Sequence, residues 1–155
     1  MRKRLATERL GLTHRFEIIT ESDAKTFYLT CGVYPDGRLG EVFLNAGKEG
    51  SLIAGALDGH AISISIGLQY GVPLKAYTSK MRFTQFEPSG LVPEAPEGLL
   101  KHIGASSFFA KSPFDYMAAY LNWKFPDGML STESYTALHC GALKEEKDAK
   151  GKKRI

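Results

Sequence analysis

At 155 residues, with 43% hydrophobic and 24% charged side chains, the chain is long enough to bury one core and too balanced for a disordered or fibrous polypeptide. Its net charge of +3 gathers at the two ends, Arg2, Lys3 and Arg4 at one and Lys147, Lys150, Lys152, Lys153 and Arg154 at the other, a pattern of solvated ends rather than of a nucleic-acid binder. No apolar run approaches the ~18 residues of a membrane span, no secretory leader is expected, and Cys31 and Cys140 lack C-x-x-C spacing, which points to a reducing cytoplasm without a disulfide framework.

Residues 1–12 are expected to be a basic arm, 13–130 a single α+β domain, and 131–155 a polar, lysine-rich tail. From Thr13, "THRFEIIT" alternates with Phe16 and Ile18 on one side, a strand signal. "AKTFYLTCGVY" places Phe27, Leu29, Cys31 and Val33 on one face and Tyr28, Thr30 and Gly32 on the other. Pro35-Asp36-Gly37 then separates this run from "EVFLNAG", so Phe27 to Ala46 reads as an antiparallel hairpin. "ISISI" alone suggests a strand, but Ile53, Leu57, Ala61, Ile64 and Leu68 recur at three- and four-residue steps. That longer stripe predicts a helix of about twenty residues, from Gly50-Ser51 to Gly71.

Three glycines inside this helix, Gly55, Gly59 and Gly67, each cost roughly 1 kcal/mol relative to alanine and call for a close approach by the sheet or a second helix. Asp58, Ser65 and Gln69 share its polar edge at steps of seven and four. A short helix is expected from Pro73 and an irregular crossing over "RFTQFEPSGLVPEAPEG". The last helix, "SPFDYMAAYLNWKF", has Ser112 as N-cap, Pro113 in its first turn, and Phe114, Met117, Ala118 and Leu121 on its apolar face. The fold class is therefore α+β: an N-terminal strand and a hairpin packed on the long glycine-containing helix and the C-terminal helix.

Chemistry is sparsely written. His14, His60, His102 and His139 have no partner at metal-ligand spacing, so no metal site is expected, and His60 reads as a hydrogen-bonded packing residue. "GKEGS", comprising Gly47, Lys48, Glu49, Gly50 and Ser51, can present free backbone N–H groups and one ammonium to a phosphate, or can be a plain hairpin-to-helix turn. In "RFTQFEPSG", Arg82, Glu87 and Ser89 supply polar groups to one wall of a ligand or protein interface, or form a structural ion pair over Phe83 and Phe86.

The blocks "RKRL…THRFEI", "YLTCGVYPDGRLGEVFLNAGKEGS", "AISISIGLQYGVPL", "FEPSG" and "AKSPFDYMAAYLNWKF" together resemble, in order and spacing, the C-terminal accessory (TSCPD-type) region of adenosylcobalamin-dependent class II ribonucleotide reductases, from about Arg2 to Phe125. The family's catalytic barrel and cysteine-rich terminal segment have no counterpart in these residues, and Gln85 stands where the family usually has an arginine before "FEP". The resemblance implies a non-catalytic accessory or detached subunit in nucleotide metabolism, not an enzyme on its own. It would meet adenosylcobalamin only through a catalytic partner. Docking to that partner, or to a second copy of itself, is expected through Asp58, His60, Gln69, Tyr70 and Phe86. The alternative is a stand-alone oligomeric nucleotide-binding protein, and nucleic acid is not an expected ligand.

Overall fold

The computed structural model describes residues 1–47 and 52–138. Strands β1 (Gly11–Ile19), β2 (Ala24–Val33) and β3 (Leu39–Ala46) form an antiparallel meander, and β4 (Gly90–Val92) and β5 (Phe108–Ala110) extend it on the β1 side. The sheet order is β3-β2-β1-β4-β5, antiparallel throughout. The helices are α1 (Leu52–Gln69), α2 (Leu74–Met81), α3 (Glu97–Ile103) and α4 (Pro113–Lys124). A 3-10 turn over Pro126–Gly128 follows, and residues 132–138 are helical. The α+β class is as the periodicities predict. The sheet has five strands rather than three, because two three-residue strands lie within and after the proline-rich crossing.

Alternation decides which side chains enter the core. Phe16 and Ile18 from β1 meet Phe27, Leu29, Cys31 and Val33 from β2 and Val42 and Leu44 from β3, all buried. The β2–β3 turn closes where expected: the Gly37 N–H donates to Tyr34 O at 2.8 Å, with Gly37 at φ 88°, a conformation that favours glycine. Helix α4 begins as read, with Ser112 Oγ accepting from the Asp115 N–H at 3.1 Å. Its residues Asp115 to Leu121 are all buried against the sheet and α2, a broader buried face than the expected stripe.

Helix α1 buries Leu57, Ala61, Ile64 and Leu68, as the stripe predicts, while Ile53 stays partly exposed. Its polar step turns inward. Ser65 Oγ accepts from Val42 N–H at 2.9 Å and lies 3.0 Å from Val42 O, and Gln69 Nε2 donates to Gly40 O at 3.1 Å. These backbone groups belong to β3, the outermost strand, so α1 satisfies an edge that would otherwise be open to pairing. Gln69, expected at an interface, is instead buried; it also accepts from Arg2 Nε at 2.8 Å.

The N-terminal segment is likewise more tied down than an arm. Lys3 N–H donates to Gln69 O at 2.9 Å, and Arg9 pairs with Glu41. By length and composition α1 is apolar enough to cross a membrane, contrary to the run-length reading. Core helices pass the same test, and Ser65 and Gln69 commit one side of α1 to the sheet edge.

Candidate functional site

The residues expected to bind a ligand do not form one group. Arg82, at the C-terminal end of α2, pairs with the Asp115 carboxylate in the first turn of α4. Asp115 is 1% exposed and also accepts from the Phe83 N–H at 2.8 Å and the Lys111 N–H at 3.0 Å. A buried carboxylate needs such partners, so Arg82 is held in an ion pair, with Asp115 rather than with Glu87 as the sequence pattern suggests. The same donors hold Phe83 at φ 68°, unusual for a bulky residue. Its ring is 62% exposed, with the Arg82 guanidinium 4.1 Å and the Lys111 ammonium 5.6 Å from its centroid.

Glu87 and Ser89 line a different place, a cleft of about 780 Å³ between the β1–β2 turn and the crossing that leads into β4. Ser89 Oγ donates to Ala110 O at 3.1 Å, which ties the crossing to β5. Opposite lie Thr20, Glu21, Ser22 and Asp23 of the turn, with Lys25, whose ammonium is 3.2 Å from Asp23 Oδ2. The Asp23 carboxyl is held below its ordinary range by the Thr20 hydroxyl and Lys25. Ile53 at the start of α1 closes one end. Gly47 sits close by, its N–H bonded to Thr26 O at 3.0 Å. Lys48, Glu49, Gly50 and Ser51 lie outside the described residues. The described wall therefore carries three carboxylates, Glu21, Asp23 and Glu87, against the one ammonium of Lys25, a poor match for a phosphate group by itself.

Strand register adds a feature that no local reading could supply. Ile19 pairs with Leu91, and Leu91 pairs with Phe109. Their neighbours Ile18, Val92 and Phe108 point into the core, so these three side chains stand together on the outer face as an exposed row, with Phe109 67% exposed. Ile19 and Phe109 also line the cleft. The apolar row thus lies directly beside the carboxylate-bearing cleft.

The remaining expected contact residues divide in two. Asp58 is exposed on α1 and Tyr70 in the turn just after it. His60 and Phe86 pack on Phe114, His60 stacked at 4.3 Å and Phe86 edge-on at 5.0 Å. The expected hydrogen bond of His60 is missing at Nε2, which is buried without a partner among the described residues, and burial lowers the pKa of this imidazole.

A polar pair absent from the sequence reading lies between β1 and α4. His14 Nε2 is 2.7 Å from Tyr116 Oη, and its ring stacks on Tyr120 at 4.4 Å. Burial, with a smaller effect from Lys124, lowers the His14 pKa to about 4, so the imidazole is neutral at pH 7. Burial also pushes the Tyr116, Tyr120 and Cys31 pKa values up, leaving the Cys31 thiol protonated in the core. Among the described residues no three of His, Cys, Asp and Glu converge to hold a metal ion.

Comparison with known proteins gives a consistent family signal. The TSCPD domain profile matches residues 4–124. A vitamin B12-dependent ribonucleotide reductase of Rhodopirellula baltica is 40% identical over 128 residues, 82% of this chain and 11% of the relative. Those of Streptomyces clavuligerus and Streptantibioticus cattleyicolor are 38% identical over 117 residues and 47% identical over 91, covering 76% and 59% of this chain and 12% and 14% of the relatives. The chain thus spans roughly a tenth of the length of these relatives. No solved structure gives a significant match.

Proposed function

The chain belongs to the TSCPD domain family, and on that premise we propose that it is a non-catalytic accessory unit of a vitamin B12-dependent ribonucleotide reductase, acting in nucleotide metabolism in the cytoplasm. The observation that carries this reading is the exposed row Ile19–Leu91–Phe109 at the cleft. Its apolar side chains are suited to anchor a catalytic chain, with Glu21 and Glu87 available to basic groups at the rim. The imidazoles suit a structural part. His14 is partly buried and hydrogen-bonded to Tyr116, and His60 is stacked on Phe114. The thiol of Cys31 is buried and protonated, the opposite of a redox-active cysteine. In this reading adenosylcobalamin is met only through the catalytic partner. The test is ribonucleotide reduction by a purified catalytic chain, with and without this protein. Its addition should raise the rate, and Phe109→Asp should remove the effect. An unchanged rate with no co-purification retires the proposal, as does reduction by this chain alone.

A second reading, nucleotide binding, is favoured by Phe83, whose exposed ring has Arg82 and Lys111 within cation–π reach and offers a base-stacking surface. Calorimetric titration with nucleoside triphosphates tests it. Binding lost in Phe83→Ala or Lys48→Ala supports it, and silence across the panel removes it.

A further inference from the structure

The outward face of α1 is apolar and has no contact among the described residues. Leu52, Ile62, Ile66 and Tyr70 are exposed on it at helical spacing, Leu52 at 87%. Between them lie Gly55, Ala56, Gly59 and Ser63, also exposed. A side chain built at Gly55 or Gly59 would meet nothing within 4 Å, whereas one at Gly67 would collide with Tyr77. Gly67 is thus explained by the fold, and the other two are not. Each costs about 1 kcal/mol relative to alanine in a helix interior, a cost without return unless another backbone approaches from outside.

The face is also self-complementary. A two-fold axis perpendicular to α1 at Gly59 puts Leu52 level with Ile66 of a second copy, seven residues to either side. It puts Gly55 level with Ser63, Ala56 with Ile62, and Gly59 with itself. Large side chains then stand opposite small ones or meet at the ends, and the crossing point is a glycine on both sides. No acidic or basic residue lies on the face among the described residues, because Asp58 and His60 occupy its flanks, so two copies meet there without like-charge repulsion. Ser63 Oγ already donates to Gly59 O at 3.0 Å and can be covered without an unmet hydrogen bond, and the Tyr70 hydroxyl lies at the end of the face, where it can stay in water.

From these features we propose that α1 is the interface of an antiparallel, two-fold homodimer, packed helix to helix across Gly55 and Gly59. The 18 residues of α1 extend about 27 Å. A pair in contact over that length removes on the order of 1,000 Å² from water, near the lower limit for a specific interface, so the dimer is reversible. Isologous pairing of one patch is the commonest way soluble chains associate. The inference does not depend on the reductase reading, since the dimer forms from this chain alone.

Sedimentation velocity over a wide concentration series tests it without any reductase present. The wild type should pass from monomer to dimer. Gly59→Leu, which raises helix propensity while wedging the crossing point, should weaken the dimer at least ~10-fold with thermal stability retained. Gly59→Cys in a Cys140→Ala background should give a cross-linked dimer under mild oxidation, because the two-fold brings this position against itself, and Lys75→Cys on α2 should not. A wild type that stays monomeric at every concentration overturns the proposal. So does a dimer that Gly59→Leu leaves unchanged, or a monomer that floats with phosphatidylcholine vesicles through this face.

Discussion

Replacing Arg82 by methionine separates a structural arginine from a ligand-binding one. Asp115 is 1% exposed and accepts from Arg82 and from the Phe83 and Lys111 N–H groups. Removing one partner of a fully buried pair costs about 3–5 kcal/mol. Two facts reduce that figure here: the Arg82 side chain is 21% exposed, so water already screens the pair, and two backbone donors remain on the carboxylate. The expected loss is then roughly 2–3 kcal/mol, a fall of about 5–10 °C in Tm for a domain of this size. Urea unfolding by linear extrapolation measures it, with the slope unchanged if only the native state is affected. Asp115→Asn should cost a similar amount, because its amide would face the Lys111 N–H donor to donor, and the double variant should cost less than the sum. Wild-type stability in Arg82→Met, with loss of nucleotide binding, would refute the reasoning and return Arg82 to a ligand site.

Other outcomes follow from the same geometry. Ser65→Ala leaves the Val42 N–H and C=O without their partner and should cost roughly 2–3 kcal/mol, whereas Ser63→Ala on the exposed face should be close to neutral by urea titration. The His14 pKa of about 4 lies below its unfolded value near 6.5, so the unfolded chain binds the extra proton between them. Stability should be fully present above pH 6.5 and fall as pH drops toward 4, by a ceiling of about 3 kcal/mol that partial exposure reduces to roughly 1–2. His60 adds in the same direction, and His14→Gln should flatten the slope of the unfolding midpoint against pH. In a Cys140→Ala background, Cys31 should resist a thiol reagent at neutral pH and react on unfolding; prompt reaction of the folded protein would contradict its placement in the core.

Local chemistry was legible and assembly was not. Pro35-Asp36-Gly37 announces its hairpin because the turn needs those residues within a few positions, and Ser112 announces α4 for the same reason. Strands β4 and β5 have three residues each, too few to show alternation, and the proline-rich stretch around β4 reads as irregular. A step of four between Ser65 and Gln69 says that they share a helix face but not that the face meets the free edge of β3. Arg82 and Asp115 are 33 positions apart, and the row Ile19–Leu91–Phe109 exists only through the pairing of three strands. Gly55 and Gly59 were readable as a demand for close approach. That the approach does not come from the other described residues needed the structure.

Binding of a fluorescently labelled sample of this protein to a vitamin B12-dependent reductase catalytic chain, followed by anisotropy, tests the accessory role most directly. Saturable binding weakened at least ~10-fold by Leu91→Asp, with thermal stability retained, is the predicted result. Absence of binding, or equal affinity for the wild type and Leu91→Asp, would contradict it.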